Sequence, residues 1–260
     1  MIPKGYITEW SKTAPWLNNY QVEQDLIIER ALVEIFSHDE LKEQLAFRGG
    51  TALHKLYLKP QARYSEDIDL VQVDSGPIKP ILDNIRVKLS FLGDANFKTS
   101  SHNNTLFYRF TSESEGIKLK LKIEINTREH FSVLGYKSLD YNMRSEYFSG
   151  DCSIKTFAIE ELLSTKLRAL YQRKKGRDLF DLWYANENIK LDTTKIIDSF
   201  SQYIAKENIS ISSKEFIQNM ERKIKDTGFH GDIIGLLRPG IEYDTPKAWE
   251  IIKELIIDKI

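Results

Sequence analysis

Cysteine is nearly absent. Cys152 is the sole cysteine in 260 residues, which excludes an internal disulfide framework and fits a reducing compartment. An excess of either charge is missing too. With 37 Lys and Arg against 38 Asp and Glu the formal net charge is −1, which weakens, without excluding, binding to nucleic acid through bulk charge, so any such contact needs a local basic patch. Long apolar runs are lacking: stretches such as residues 251–257 are short and broken by charge, so no membrane-spanning helix or membrane partner is expected. Residues 1–15 carry Lys4, Glu9 and Lys12 and no apolar run, which argues against a signal peptide and for a cytoplasmic protein. There is no Walker A loop, no G-x-G-x-x-G, no H-E-x-x-H and no fixed-period repeat. Zinc and P-loop chemistry have no foothold in the sequence.

What is present suffices for a buried core, and it changes character along the chain. Residues 22–36 place Leu26, Ile27, Leu32, Val33 and Phe36 on roughly one helical face. The apolar triplet Leu45-Ala46-Phe47 runs into Arg48-Gly49-Gly50, and residues 51–58 read as a short helix stopped before Pro60. Residues 66–73, 106–111 and 117–126 alternate as strands do, and residues 77–92 read as helix. Beyond about residue 150 the alternation fades, and helices are predicted at 159–173, 177–186, 193–205, 213–225 and 246–257. The expected organisation is α+β: a front domain over residues 1–150 and an all-helical domain over residues 151–260, joined near Gly150.

Carboxylates carry the chemistry. On a strand, Asp67 and Asp69 project to one face while Ile68 and Leu70 enter the core. Their α-carbons lie roughly 7 Å apart, close enough for the carboxyl groups to meet on an ion that takes oxygen ligands at about 2.1 Å. An isolated D-x-D also suits a solvated strand face. The run Lys118 to Ile125 alternates with unusual regularity, placing Leu119, Leu121, Ile123 and Ile125 on one face and Lys118, Lys120, Lys122 and Glu124 on the other. If this strand pairs beside Asp67 and Asp69, Glu124 completes a metal site and the lysines flank a triphosphate or an RNA backbone; otherwise it is a lysine-rich edge strand.

Upstream, Gly49-Gly50-Thr51 sits between an apolar stretch and a helix. Glycines allow a sharp turn and close approach to a phosphate, and a helix start offers free N–H groups. Thr51 adds a hydroxyl that either meets the ligand or caps the helix. Downstream, residues 160–183 are the most distinctive stretch. Leu163, Leu167 and Leu170 make an apolar stripe, with Lys166 and Arg173 on one flank. Gly176 marks a break before a helix on which Asp178 and Asp181 are neighbours. The cations Arg168, Arg173, Lys174, Lys175 and Arg177 read either as a solvated basic face with surface ion pairs or as a patch for an RNA backbone.

Two motif blocks together, Phe47-Arg48-Gly49-Gly50-Thr51-Ala52-Leu53-x-Lys55 with Arg63-x-Ser65-Glu66-Asp67-Ile68-Asp69-Leu70, and Lys166 through Leu170 to Arg173 with Lys175 to Leu182, resemble the AbiEii/AbiGii-type nucleotidyltransferases. These are toxin components of abortive-infection, type IV toxin–antitoxin systems. The resemblance covers residues 45–185. It implies a DNA-polymerase-β-like core, a mixed sheet with flanking helices, followed by a helical domain. It implies Asp67, Asp69, Lys166 and Asp178 as catalytic residues, and Gly49, Gly50, Thr51, Lys55, Ser65 and Lys166 at the nucleotide. Asp67, Asp69 and Glu124 would hold Mg²⁺ or Mn²⁺, and a nucleoside triphosphate would be the substrate. The implied acceptor is RNA, the 3′ end of transfer RNA in particular, and a cognate antitoxin is expected to be encoded alongside. Transfer to a protein hydroxyl, and binding of GTP or another nucleotide without turnover, remain alternatives at this stage.

Overall fold

The computed structural model describes residues 2–260. The chain divides into two compact units, one formed by the residues up to Ser132 with Tyr136–Phe157, the other by Val133–Gly135 with Ala158–Ile260.

The first unit opens with helices α1 (Lys4–Trp10), α2 (Asn19–Phe36) and α3 (Asp39–Gln44). Strand β1 (Leu45–Arg48) then runs into helix α4 (Gly49–Ala52), which continues as a π-helical turn over Leu53–Tyr57. Strand β2 (Asp67–Gln72) and helix α5 (Lys79–Lys88) follow, and then strands β3 (Ala95–Thr99), β4 (Asn103–Thr111), β5 (Lys118–Asn126), β6 (Tyr136–Arg144) and β7 (Ser149–Phe157). All seven strands form one mixed sheet in the order β3-β4-β5-β2-β1-β7-β6. The pairs β2/β5 and β1/β7 are parallel and the others antiparallel.

The alternation read in β5 is its burial pattern: Leu119, Leu121, Ile123 and Ile125 are buried, and Lys118 and Lys120 are exposed. Helix α2 begins at a capping box between Asn18 and Gln21 and packs on β5, β6 and β7. It is buried on nearly every side, acidic residues included.

The strand pattern does not end at residue 150. Gly150 lies inside β7, with Val33 of α2 so near that a β-carbon would stand 2.7 Å from its methyl carbon. The glycine there permits close approach of helix and strand, which a single sequence does not distinguish from a linker. Strands β3 and β6 also carry little apolar alternation in the sequence, because β3 is exposed almost throughout and β6 buries only Tyr141 and Met143.

The second unit is helical: α6 (Ile159–Gln172), α7 (Gly176–Asn188), α8 (Thr193–Lys206), α9 (Ser213–Ile224), α10 (Thr227–Ile234) and α11 (Thr245–Leu255). Asp192, Ser212, Asp226 and Asp244 cap four of these helices by accepting a main-chain N–H of the first turn. Leu163, Leu167 and Leu170 are fully buried, together with Phe180, Phe200 and Phe216. The main-chain N–H groups of Val133 and Leu134 donate to the buried Glu161 carboxylate at 2.8 and 3.0 Å, and the Tyr203 hydroxyl donates to it at 2.8 Å. Among the described residues no helix is long and apolar enough to cross a membrane.

Candidate active site

Strand β2 supplies the centre of the site. Ile68 and Leu70 are buried, while Asp67 and Asp69 reach the opposite face half-exposed. Register decides what lies beside them. On the β5 side Asp67 pairs with Lys122 and Asp69 with Glu124, so all four side chains share one face. On the β1 side Asp69 faces Arg48, whose guanidinium donates to Glu129 at 2.5 Å.

Lys122 is the unexpected member. Its ammonium stands 3.0 Å from an Asp67 oxygen and 3.4 Å from a Glu124 oxygen. Burial opposes its charge, but Asp67, Asp69 and Glu124 outweigh that and raise its pKa, so it is cationic at neutral pH. Asp67 is pushed up from the ordinary carboxylate range, first by burial and then by the charge of Asp69, with Lys122 pulling the other way. The other Glu124 oxygen accepts from the Asn103 amide at 3.0 Å. Among the described residues no three carboxylate, histidine or cysteine side chains converge as metal ligands do. Glu124 is thus a strand neighbour of the aspartates, with its oxygens already turned to Asn103 and Lys122. The donor set still fits Mg²⁺, which is commonly held by one or two carboxylates completed by water and substrate oxygens.

The glycine turn is built against this face. Gly49 has φ +81°, and a β-carbon on it would lie 3.0 Å from the Asp69 β-carbon and 3.1 Å from its carboxyl carbon. Only a residue without a side chain lets the turn close on Asp69. Gly50 and Thr51 are buried. The Thr51 hydroxyl donates to the Asp67 carbonyl at 2.5 Å and meets the Ser65 hydroxyl at 2.8 Å. Both hydroxyls expected at the nucleotide therefore pin the start of β2. A buried amide, Gln24 on α2, braces the same region by donating to the carbonyls of Glu66 at 3.1 Å and Lys120 at 3.2 Å.

Lys55 is not brought to this face. Its ammonium is enclosed by Asp25 at 2.8 Å, Glu29 at 2.7 Å and Gln61 at 3.2 Å. Burial works against its charge, yet the two acids raise its pKa. The Trp10 indole completes Asp25 at 3.0 Å, and the Tyr141 hydroxyl completes Glu29. The expected phosphate ligand is the centre of a buried charge cluster.

In the second unit Lys166 and Asp178 do come together. The Lys166 ammonium lies 3.3 Å from Asp178 and 2.9 Å from Asp181. Arg173 grips Asp178 with two nitrogens at 2.7 and 2.8 Å. Burial opposes ionisation of Asp178, but Lys166 and Arg173 prevail and hold its pKa below the ordinary value. The remaining cations of the basic stretch also have carboxylate partners: Arg168 with Glu207 at 3.0 Å, Lys174 with Asp226 at 2.7 Å, Lys175 with Asp232 at 3.0 Å and Arg177 with Asp232 at 3.8 Å. The stretch is locally neutralised. Lys223, unnoticed in the sequence, caps the end of α6 by donating to the carbonyls of Leu170 and, at 2.8 Å, Tyr171, and burial lowers its pKa to about 8.

Residues 30–252 match the family model described as nucleotidyl transferase AbiEii toxin, type IV toxin–antitoxin system. The chain belongs to the AbiEii family. That membership assigns it in general terms to the nucleotidyltransferase toxins, and Asp67, Asp69, Glu124, Lys166 and Asp178 fall inside the matched span. No curated protein sequence matches it significantly. In fold, this AbiEii-family chain is similar to MenT4, nucleotidyltransferase toxin Rv2826c from Mycobacterium tuberculosis H37Rv, at 15% identity over 100% of this chain and 91% of that one, with a TM-score of 0.67. It is also similar to JHP933 from Helicobacter pylori, at 17% identity over 94% of both chains, with a TM-score of 0.58.

Proposed function

We propose that this AbiEii-family protein transfers a nucleoside monophosphate from a nucleoside triphosphate to RNA, the 3′ end of transfer RNA being the acceptor. The reaction joins an acceptor hydroxyl oxygen to the α-phosphorus, breaks the bond from that phosphorus to the bridging oxygen, and releases pyrophosphate and one proton. The observation that carries the reading is the register of β2 with β5, which sets Asp67, Asp69 and Glu124 on one face with the Gly49 turn closed on Asp69.

In this reading Asp67 and Asp69 hold Mg²⁺ or Mn²⁺. The bound ion supplies charge neutralisation at the triphosphate and in-line alignment of nucleophile and leaving group. Thr51 and Ser65 act by fixing where β2 begins, and with it the direction of both aspartates. Asn103 holds Glu124. Lys166 and Asp178 form a buried ion pair in the second unit, and their role in transfer is to keep that pair set for the nucleotide or the acceptor. Arg173, Lys174 and Lys175 are about half-exposed in their carboxylate pairs. Only Lys174 and Asp226 are both substantially exposed; such a surface pair contributes about 0–1 kcal/mol, so an RNA phosphate can replace that carboxylate at little cost, whereas Asp178 is buried and keeps Arg173.

The deciding experiment incubates purified protein and Mg²⁺ with each α-phosphate-radiolabelled ribonucleotide and total bacterial RNA, beside Asp69→Ala. Label in small RNA that is lost in the variant supports the reading. Label in protein alone moves the acceptor to a protein hydroxyl. Bound nucleotide without any transfer reduces the chain to a nucleotide-binding module.

A further inference from the structure

A lysine seated among the carboxylates of a metal site has a consequence for how that site loads. Lys122 is fixed at its α-carbon, because β5 is paired with β4 along its whole length and with β2 from Lys122 to Asn126. Its ammonium nonetheless reaches Asp67 at 3.0 Å and Glu124 at 3.4 Å, and its side chain keeps 24% of its surface exposed. The stem therefore has a route outward, while the strand cannot withdraw. A divalent ion taking the same carboxylate oxygens meets a positive charge already on them, and two cations at this range repel.

We propose that Lys122 is a built-in counter-ion that competes with the divalent metal for the Asp67 carboxylate, so that metal binds tightly only when a triphosphate offers the ammonium another anion. This rests on the nucleotidyltransferase reading above. Without substrate, Lys122 keeps Asp67, Asp69 and Glu124 from repelling one another and weakens capture of free metal. With substrate, the ammonium moves onto phosphate oxygens, and metal and nucleotide bind with positive coupling, each raising the affinity for the other by the same factor. Lys122 is thus a positioning residue that links the order of loading to the presence of nucleotide. A purely structural lysine that only staples β2 to β5 has no such coupling.

The test is Mn²⁺ binding, followed by the electron paramagnetic resonance signal of the free ion, which needs no turnover. Full-length wild type, Lys122→Gln, Lys122→Arg and Asp69→Asn are titrated with Mn²⁺ alone and then with each α,β-methylene ribonucleoside triphosphate. Expected is Mn²⁺ affinity at least about tenfold tighter in Lys122→Gln than in wild type without nucleotide, with the gap closing when the analogue is present. Lys122→Arg, which keeps a permanent charge and a forked donor, should bind free Mn²⁺ no better than wild type; it carries the test if the Gln variant fails to fold. Equal Mn²⁺ affinity in wild type and Lys122→Gln, or tighter binding in Lys122→Arg, overturns the inference and leaves the enzyme reading intact. Mn²⁺ binding by no variant even with nucleotide, or binding unchanged in Asp69→Asn, overturns both.

Discussion

Replacing Gly49 by alanine tests whether the glycine turn shapes the carboxylate site or merely reverses the chain. Two costs are expected, and they separate. The first is backbone: at φ +81° an L-residue is in the left-handed region, which costs roughly 1–2 kcal/mol. For a unit of this size that is a fall in melting temperature of about 2–8 °C. The second is local: the new β-carbon would stand 3.0 Å from the Asp69 β-carbon, whereas carbon atoms rest at about 3.5–4.0 Å. Asp69 or the turn must therefore give by roughly 0.5–1 Å, and a misplacement of about 1 Å at a reacting centre is worth about 100-fold in rate. Gly93 provides the control, since it has φ +79° and nothing within 4 Å of an added β-carbon. Gly93→Ala, at φ +79° and ψ −159° in a region open essentially to glycine alone, should lose stability and keep full transfer activity; Gly49→Ala should lose stability and about two orders of magnitude of transfer. The measurements are thermal unfolding by circular dichroism and initial rates of label transfer. If Gly49→Ala stays within about threefold of Gly93→Ala in rate, the close approach to Asp69 has no functional weight and the reasoning fails.

Other outcomes follow from the charge clusters. Lys55→Met leaves Asp25 and Glu29 buried without their cation and should cost about 3–5 kcal/mol in urea unfolding; a loss below about 1 kcal/mol would show that water replaces the ammonium. Asp178 has a native pKa below its unfolded value, so its contribution to stability is present above about pH 4 and is lost as pH falls through the lower native value. Acid titration of the unfolding midpoint should therefore flatten in Asp178→Asn, and an unaltered profile would mean that other carboxylates carry the acid sensitivity. Lys174→Ala with Lys175→Ala should lower the salt dependence of RNA binding, reducing the log–log slope by about 1–2. An unchanged slope takes these residues out of the interface.

The geometry of the candidate site is more legible in the sequence than the frame around it. Strands β2 and β5 alternate because one face is core and the other carries the polar groups, so their pattern announces both the strand and the direction of Asp67, Asp69 and Glu124. Strand β1 is four residues long and nearly all buried, too short and uniform for any period to show. The misreading of Lys55 had a visible signal: Asp25 and Glu29 recur with Leu32 and Phe36 at spacings that share one helical stripe, and acids on an apolar stripe need a buried partner. No comparable signal marks the basic stretch, because the carboxylates that neutralise it, Glu207, Asp226 and Asp232, return to it from distant helices. Lys122 lay in plain view two positions before Glu124, but choosing between phosphate ligand and carboxylate partner required the register with β2.

The place of β1 in the sheet also bears on the order in which the protein is made. β1 has β2 on one side and β7 on the other, and Thr156 of β7 donates its hydroxyl to the Phe47 carbonyl at 2.7 Å. During synthesis the strands β1, β2 and β5, which bear the acidic face, emerge long before residues 149–157. Until those residues arrive, the β7 side of β1 is an unsatisfied edge, open to pairing with another chain. A fragment ending at residue 150 would keep that edge exposed for good, whereas one ending at residue 157 closes it.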